Sequence, residues 1–307
     1  MKTFLKGPGG RILRGAISVV TVGLLAWWVD WRQVGRALSG AEPLWAIAGF
    51  GLLLLNSLLQ ALRWRGMLRR PDIPPVKFLH FVFVGHFANL FLPSQLGADA
   101  LRAVGFGRHH GDVQANIGVQ IAMRVSGLLA LVVFSLAGFV LYWPRLVPAL
   151  RTSSLDLGPW AGWLGAVALS GIGLGIALLW RFRQSAWMHP LLQLAVDRRY
   201  LLDSLLWSFA IQLATSLAVV AQFRALVPDP DVGMILLFTS IAQVLLWLPL
   251  SIGGLGVREW VLLVLFSQVG GIAQETVLAV TLLGYANLVG LALLGGGWIL
   301  YRGAKDR

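Results

Sequence analysis

Apolar runs of about twenty residues, bounded by Arg and Lys, recur along the chain and leave little choice of fold. Ile12 to Val29, Leu44 to Leu62, Gly127 to Trp143, Trp160 to Trp180, Leu201 to Leu226 and Val277 to Leu300 each have the length and apolarity of a helix crossing a bilayer. Only 12% of the 307 residues are charged and 57% are hydrophobic. A soluble domain needs about a quarter of its residues charged to solvate its surface. A soluble enzyme, a disordered tail and a small secreted scaffold are therefore excluded, and the expected fold class is an all-α polytopic membrane protein. With no Cys, disulfides, thiolate metal sites and Cys nucleophiles are excluded as well. Lys2, Lys6, Arg11 and Arg14 precede the first run as in a signal peptide. Ala26 nevertheless runs straight into Trp27 and Trp28 with no small-residue cleavage site, so the reading is an uncleaved first span.

The net charge of +12 would point to nucleic acid in a soluble protein. Here it falls into clusters that orient the chain, because Lys and Arg near span ends stay in the cytoplasm. These are the N-terminus, the loop with Arg63, Arg65, Arg69, Arg70 and Lys77, the loop with Arg181, Arg183, Arg198 and Arg199, and the tail with Arg302, Lys305 and Arg307. Outer segments balance Arg32, Arg36, Arg145, Arg151 and Arg224 against Asp30, Glu42, Asp156, Asp229, Asp231 and Glu275. Both termini are expected in the cytoplasm of a bacterial cell, with the chain in its inner membrane and nucleic acid not among its partners.

Two further apolar stretches, Val76 to Leu92 and Val232 to Leu248, each end at Leu-Pro and pass through Gly-rich, charged sequence before apolar residues resume. Irregular backbone at membrane depth survives only inside protein or beside a wet cavity. Parity constrains these breaks: two clear spans between Lys77 and Arg181 already return the chain to the cytoplasm, so Val76 to Arg108 makes no net crossing. The same holds for Val232 to Val269 on the outer side. The expected architecture is one domain, 1–307, of six full helices and two re-entrant hairpins entering from opposite faces. Its halves are 1–180, with hairpin 76–108, and 181–307, with hairpin 232–269. A tight loop between two full spans at each break satisfies parity equally.

The breaks superpose as Leu-Pro-x-x-x-Gly-x-x-x-x-Arg, from Leu92 to Arg102 and from Leu248 to Arg258. Pro93 and Pro249 end the incoming helices by removing a donor, Gly97 and Gly253 permit the turn, and Arg102 and Arg258 fall in the first turns of the returning helices. Paired interruptions in opposite-topology halves of a transporter point to a substrate site near the midplane. Asp99, three residues before Arg102, can share its helix face, and Glu259 follows Arg258. A charge at the bilayer centre costs at least about 2.5 kcal/mol, so such groups are paired or line a wet path. The Arg side chains and returning-helix N-termini favour an anion such as a lipid phosphate. The competing reading is that Asp99 with Arg102, and Arg258 with Glu259, only neutralise one another and pin the hairpins.

The candidate substrate residues are Asn89, Ser94, Gly97, Asp99, Arg102 and Arg124 in the first half, and Ser251, Gly253, Gly254, Gly256, Arg258 and Glu259 in the second. Arg124, at the start of the next span, lines the same cavity or sits at the interface. His86, Tyr285, Asn287, Asn56, Gln60, Gln212 and Gln243 read as interhelical hydrogen-bonding residues. His109-His110 has no further nearby ligand to make a metal site. No catalytic residue, metal or cofactor is assigned, and no Gly-x-x-x-x-Gly-Lys-Ser/Thr occurs.

Asn89 to Ala103 together with Leu248 to Glu259 resembles the lysylphosphatidylglycerol synthase transmembrane family, also called the flippase-like domain family. The first motif departs mildly, with Gly97-Ala98-Asp99 where the family often has Gly-Gly-Asp. The resemblance implies the lipid-moving part without a soluble synthase domain, acting on an aminoacylated phospholipid or a polyprenyl-linked lipid. The expected function is lipid translocation, with phosphate on Arg102 and Arg258 and acyl chains left in the bilayer. Asp99 and Glu259 would hold the Arg side chains or receive a cationic headgroup, and uphill transport would need an ion gradient. One rival is a polyprenyl-phosphate-dependent transferase using outer acidic residues such as Asp229 and Asp231, with Asp30, Glu42 and Asp156. The other is an accessory subunit whose Arg198 and Arg199 dock a soluble lipid-modifying enzyme.

Overall fold

The computed structural model describes residues 39–89, 95–152, 185–247 and 261–305, together with positions 32, 35 and 36. Among them the chain is helical throughout: α1 (Pro43–Leu68), α2 (Pro75–Asn89), α3 (Gln95–His110), α4 (Val113–Leu141), α5 (Trp143–Thr152), a 3₁₀ turn (Ala186–Met188), α6 (His189–Val196), α7 (Arg198–Arg224), α8 (Val232–Trp247), a π-helical segment (Leu263–Val269) and α9 (Gln274–Lys305).

Four of these helices, α1, α4, α7 and α9, are long and apolar enough to cross a membrane. The apolar runs expected at Leu44 to Leu62, Leu201 to Leu226 and Val277 to Leu300 coincide with α1, α7 and α9. The run from Gly127 to Trp143 covers only the C-terminal half of α4 and ends two residues past it, whereas α4 starts at Val113 on an Asp112 N-cap accepting from the Ala115 N–H. The expected spans Ile12 to Val29 and Trp160 to Trp180 lie outside the described residues.

Antiparallel neighbours build the bundle. Asn56 of α1 donates to the Ile211 carbonyl and to Thr215 near the middle of α7, and where the C-terminal end of α1 meets the N-terminal end of α7 Tyr200 donates to the Met67 carbonyl. α2 and α3 form a hairpin: Phe78 stacks on Phe106 at 4.4 Å, Phe81 meets Phe106, and Gly85 lies against Arg102. With 15 and 16 residues, each arm is about 22–24 Å long, short of the roughly 30 Å hydrocarbon core. α9 lies along α2, where a Cβ on Gly295 would strike the Phe83 carbonyl, so the missing side chain sets how closely the two backbones approach.

Since lipid is as apolar as Leu, helices associate in a bilayer by packing and hydrogen bonding rather than by burial from water. Both contributions are visible. Trp64, Phe78, Phe81 and Phe106 fill one end of the bundle, and the Trp64 indole donates to Asn116 of α4 at 3.2 Å. Phe223, Ile235, Phe238, Phe266 and Val277 fill the other. Between the two ends, Gln212 of α7 donates to Ser240 of α8 at 2.9 Å. Asn56 and Gln212 are therefore interhelical hydrogen-bonding residues, as expected.

A shared-carboxylate site at the first break

α3 begins at Gln95, directly after the interruption, and carries Asp99 and Arg102 one turn apart. The Arg102 Nη1 lies 3.2 Å from Asp99 Oδ1. The other carboxylate oxygen accepts from Arg124 Nε of α4 at 2.7 Å, and Arg124 Nη2 contacts the same oxygen. One carboxylate thus bridges two guanidiniums from two helices. The side chains of Asp99, Arg102 and Arg124 are 19%, 12% and 22% exposed, so the cluster is largely withdrawn from solvent and its attractions are weakly screened.

Two cations on one anion leave a surplus positive charge among the described residues. The surplus has a direction, because Arg102 Nε is buried with no hydrogen-bond partner. A buried, unmatched N–H on a cation is costly until an acceptor arrives. The guanidinium fits there because α2 carries Gly85: a Cβ at that position would collide with Arg102 Nε and Cζ.

The depth of the cluster follows from its neighbours. Arg102 lies beside Gly85, and the next residue, His86, places Nε2 3.1 Å from Ser57 Oγ. Ser57 falls near the middle of α1, between Pro43 and Leu68, on the order of 15–20 Å from either end. The charges therefore lie near mid-depth of a membrane-length helix, where they are most costly and most informative.

Arg124 is placed inside the cluster and well within α4. Gly97 and Asn89 flank the break and are half-buried. Pro93 and Ser94 lie outside the described residues, as do Pro249, Ser251, Gly253, Gly254, Gly256, Arg258 and Glu259 of the second motif.

Arg63 corrects the sequence reading. Expected in a cytoplasmic loop, it lies inside α1, which runs six residues beyond Leu62. It is 5% exposed, and its Nη2 donates to the Met123 carbonyl and to Ser126 Oγ, each at 2.6 Å. Those bonds grip α4 on either side of Arg124. Neither Gly85 nor the buried place of Arg63 had a local signal; the latter was hidden because Arg63 resembles its solvated neighbours.

Asp231 is engaged as a helix N-cap. Its Oδ1 accepts from the Met234 N–H at 2.9 Å and from Tyr142 at 3.1 Å, while Oδ2 meets Arg145 at 3.2 Å. The Met234 N–H, with Tyr142 and Arg145, holds this carboxyl below its ordinary range. His109 contacts the Gly105 carbonyl and His110 stacks on Phe106. Among the described residues, no three His, Cys, Asp or Glu side chains gather as a metal site.

The model of the lysylphosphatidylglycerol synthase transmembrane region matches residues 11–296. The chain belongs to that family. It is also similar to a protein described as a UPF0104 membrane protein from Methanothermobacter thermautotrophicus, 24% identical over 326 residues, covering 94% of this chain and 92% of the relative. No solved structure matches. Membership agrees with the resemblance carried by the two Leu-Pro motifs, and this member of the family is a membrane protein with several apolar helices.

Proposed function

We propose that this family member is a lipid translocase that moves a phosphate-bearing headgroup past the Asp99–Arg102–Arg124 cluster while the acyl chains stay in the bilayer. The observation that carries the reading is the charge balance at mid-depth: one carboxylate on two guanidiniums, with the buried Arg102 Nε lacking an acceptor. A phosphate oxygen supplies that acceptor, and charge-assisted bonds to phosphate are among the stronger hydrogen bonds.

In this reading α2 and α3 are the arms of a re-entrant hairpin, consistent with their short length and with the shared level of Gly85 and Arg102. Arg258 and Glu259 form the counterpart from the opposite face, and the termini lie in the cytoplasm of the cell whose inner membrane holds the protein. The lipid is an anionic or aminoacylated phospholipid or a polyprenyl-linked lipid, and no nucleotide or metal takes part. The transferase alternative finds little support, because Asp231 is already committed to a helix cap and an ion pair.

Native mass spectrometry of protein released from detergent tests the headgroup site. Wild type should retain phosphatidylglycerol, and the Arg102→Gln variant, in which Asp99 keeps Arg124, should retain far less while keeping its thermal unfolding temperature within a few degrees. Equal retention by that variant would rule the cluster out as the headgroup site.

A further inference from the structure

Resting on the headgroup reading above, we propose that His86 is the proton-binding partner of this site, so that an anionic lipid headgroup is bound and carried together with one proton. His86 lies on α2 beside Gly85, the residue whose missing side chain admits the Arg102 guanidinium, and Arg102 acts on it electrostatically. Its Nε2 is 3.1 Å from Ser57 Oγ, and that hydroxyl donates its own proton to the Leu53 carbonyl at 3.0 Å. Ser57 is therefore the acceptor from Nε2–H, which leaves the second ring nitrogen, Nδ1, to take up or release the proton.

The surroundings make the ring responsive to anion occupancy. α3 faces it with Arg102 and, one turn away, Asp99, and α4 contributes Arg124 through Asp99. α1 faces it with the neutral Ser57. α9 brings Gly295 and Gly296 against Phe83 and Phe87 and has no Asp, Glu, His, Lys or Arg between Thr276 and Trp298. Arg102 is thus the nearest cation, and a second positive charge beside it is unfavourable. A phosphate oxygen on Arg102 offsets that repulsion and favours a protonated ring. Linkage is reciprocal, so a protonated ring also favours the phosphate.

Charge conservation gives the device a purpose. A monoanionic phosphodiester brings one negative charge to the site, and protonation of His86 brings one positive charge. The loaded and empty sites then differ by no net charge, so neither crosses the low-dielectric midplane at an extra electrostatic cost. A proton gradient can accordingly drive an anionic lipid without a nucleotide.

The test is binding of dihexanoyl phosphatidylglycerol to the detergent-purified full chain by calorimetry between pH 5 and 8, in buffers of different ionisation enthalpy to count protons. The expected result is uptake of about one proton per lipid, with affinity falling about tenfold per pH unit between the titration of the ring in the empty site and its titration in the loaded site. His86→Gln should bind with flat pH dependence and no proton uptake, and His86→Asn serves if that variant is poorly folded. Binding by wild type with no uptake and no pH dependence would overturn the role of His86 while leaving the headgroup site intact. Uptake that persists in both His86 variants would also overturn it. Absence of any binding to wild type would overturn the headgroup reading and the proton coupling together.

Discussion

Asp99 serves two guanidiniums, so its removal should cost more than removal of either partner. Asp99→Asn takes the shared carboxylate away from both guanidiniums, and breaking a buried pair in this way costs about 3–5 kcal/mol. Arg102→Gln leaves the Asp99–Arg124 pair balanced and should cost less. Thermal unfolding in detergent should therefore rank wild type above Arg102→Gln and Arg102→Gln above Asp99→Asn. A fall in Arg102→Gln as large as that in Asp99→Asn would contradict the shared-carboxylate geometry. Gly85 makes a second residue-scale prediction: Gly85→Ala should destabilise wild type through its clash with Arg102, and far less so in an Arg102→Ala background. The double-mutant cycle should show a coupling energy of about 1–3 kcal/mol. Asp99 and Arg102 were legible in the sequence because their three-residue spacing lies within one helix. Gly85 was not legible, because the side chain it accommodates comes from a different helix.

At the scale of helices, long apolar runs locate spans well and charges mislead at their ends. Leu44 to Leu62 and Val277 to Leu300 fall within α1 and α9, and Leu201 to Leu226 overruns the end of α7 by two residues. Gly127 was taken as the start of a span because Arg124 precedes it, yet α4 continues back to Val113, since Arg124 is neutralised by Asp99 on another helix. Arg63 was placed outside for the same reason. Charges buried among tertiary partners look like boundaries until those partners are known. Close packing supports a further prediction. Gly295→Val should push α9 off the Phe83 backbone of α2 and lower stability by about 1–3 kcal/mol, the usual cost of overpacking. Helix ends add a pH dependence. Asp197 caps α7, accepting from the Tyr200 and Arg199 N–H groups, and pairs with Arg69 at 2.7 Å. The Tyr200 N–H and then Arg69 hold its carboxyl below the ordinary range. Folding thus lowers this pKa, so its stabilisation is present above the ordinary Asp range near 3.9 and is lost as pH falls through the folded value. Acid unfolding midpoints should shift less on lowering pH in Asp197→Asn than in wild type.

Across the whole molecule, charges sort to the two ends of the bundle and only a few stay at depth. Arg69 and Asp197 pair at one end, while Arg145 pairs with Asp231 and the Glu42 N–H donates to the Ala225 carbonyl at the other. The native chain has no Cys, so single cysteines report topology directly. Cysteines at Arg69 and Arg108 should react with a membrane-impermeant maleimide from the cytoplasmic side, and one at Arg145 from the opposite side. Labelling of Ser94→Cys by the same bulky reagent from outside would replace the re-entrant hairpin with two full crossings.

The central claim is that the paired breaks carry a lipid headgroup across the membrane. Its most direct test is translocation of fluorescent phosphatidylglycerol in proteoliposomes, read by dithionite quenching of the outer leaflet. Wild type should expose the inner-leaflet lipid, and the Arg102→Gln, Arg258→Gln double variant should do so about tenfold or more slowly, the loss expected for a missing charge-assisted hydrogen bond. An unchanged rate in a folded, reconstituted double variant would contradict the account.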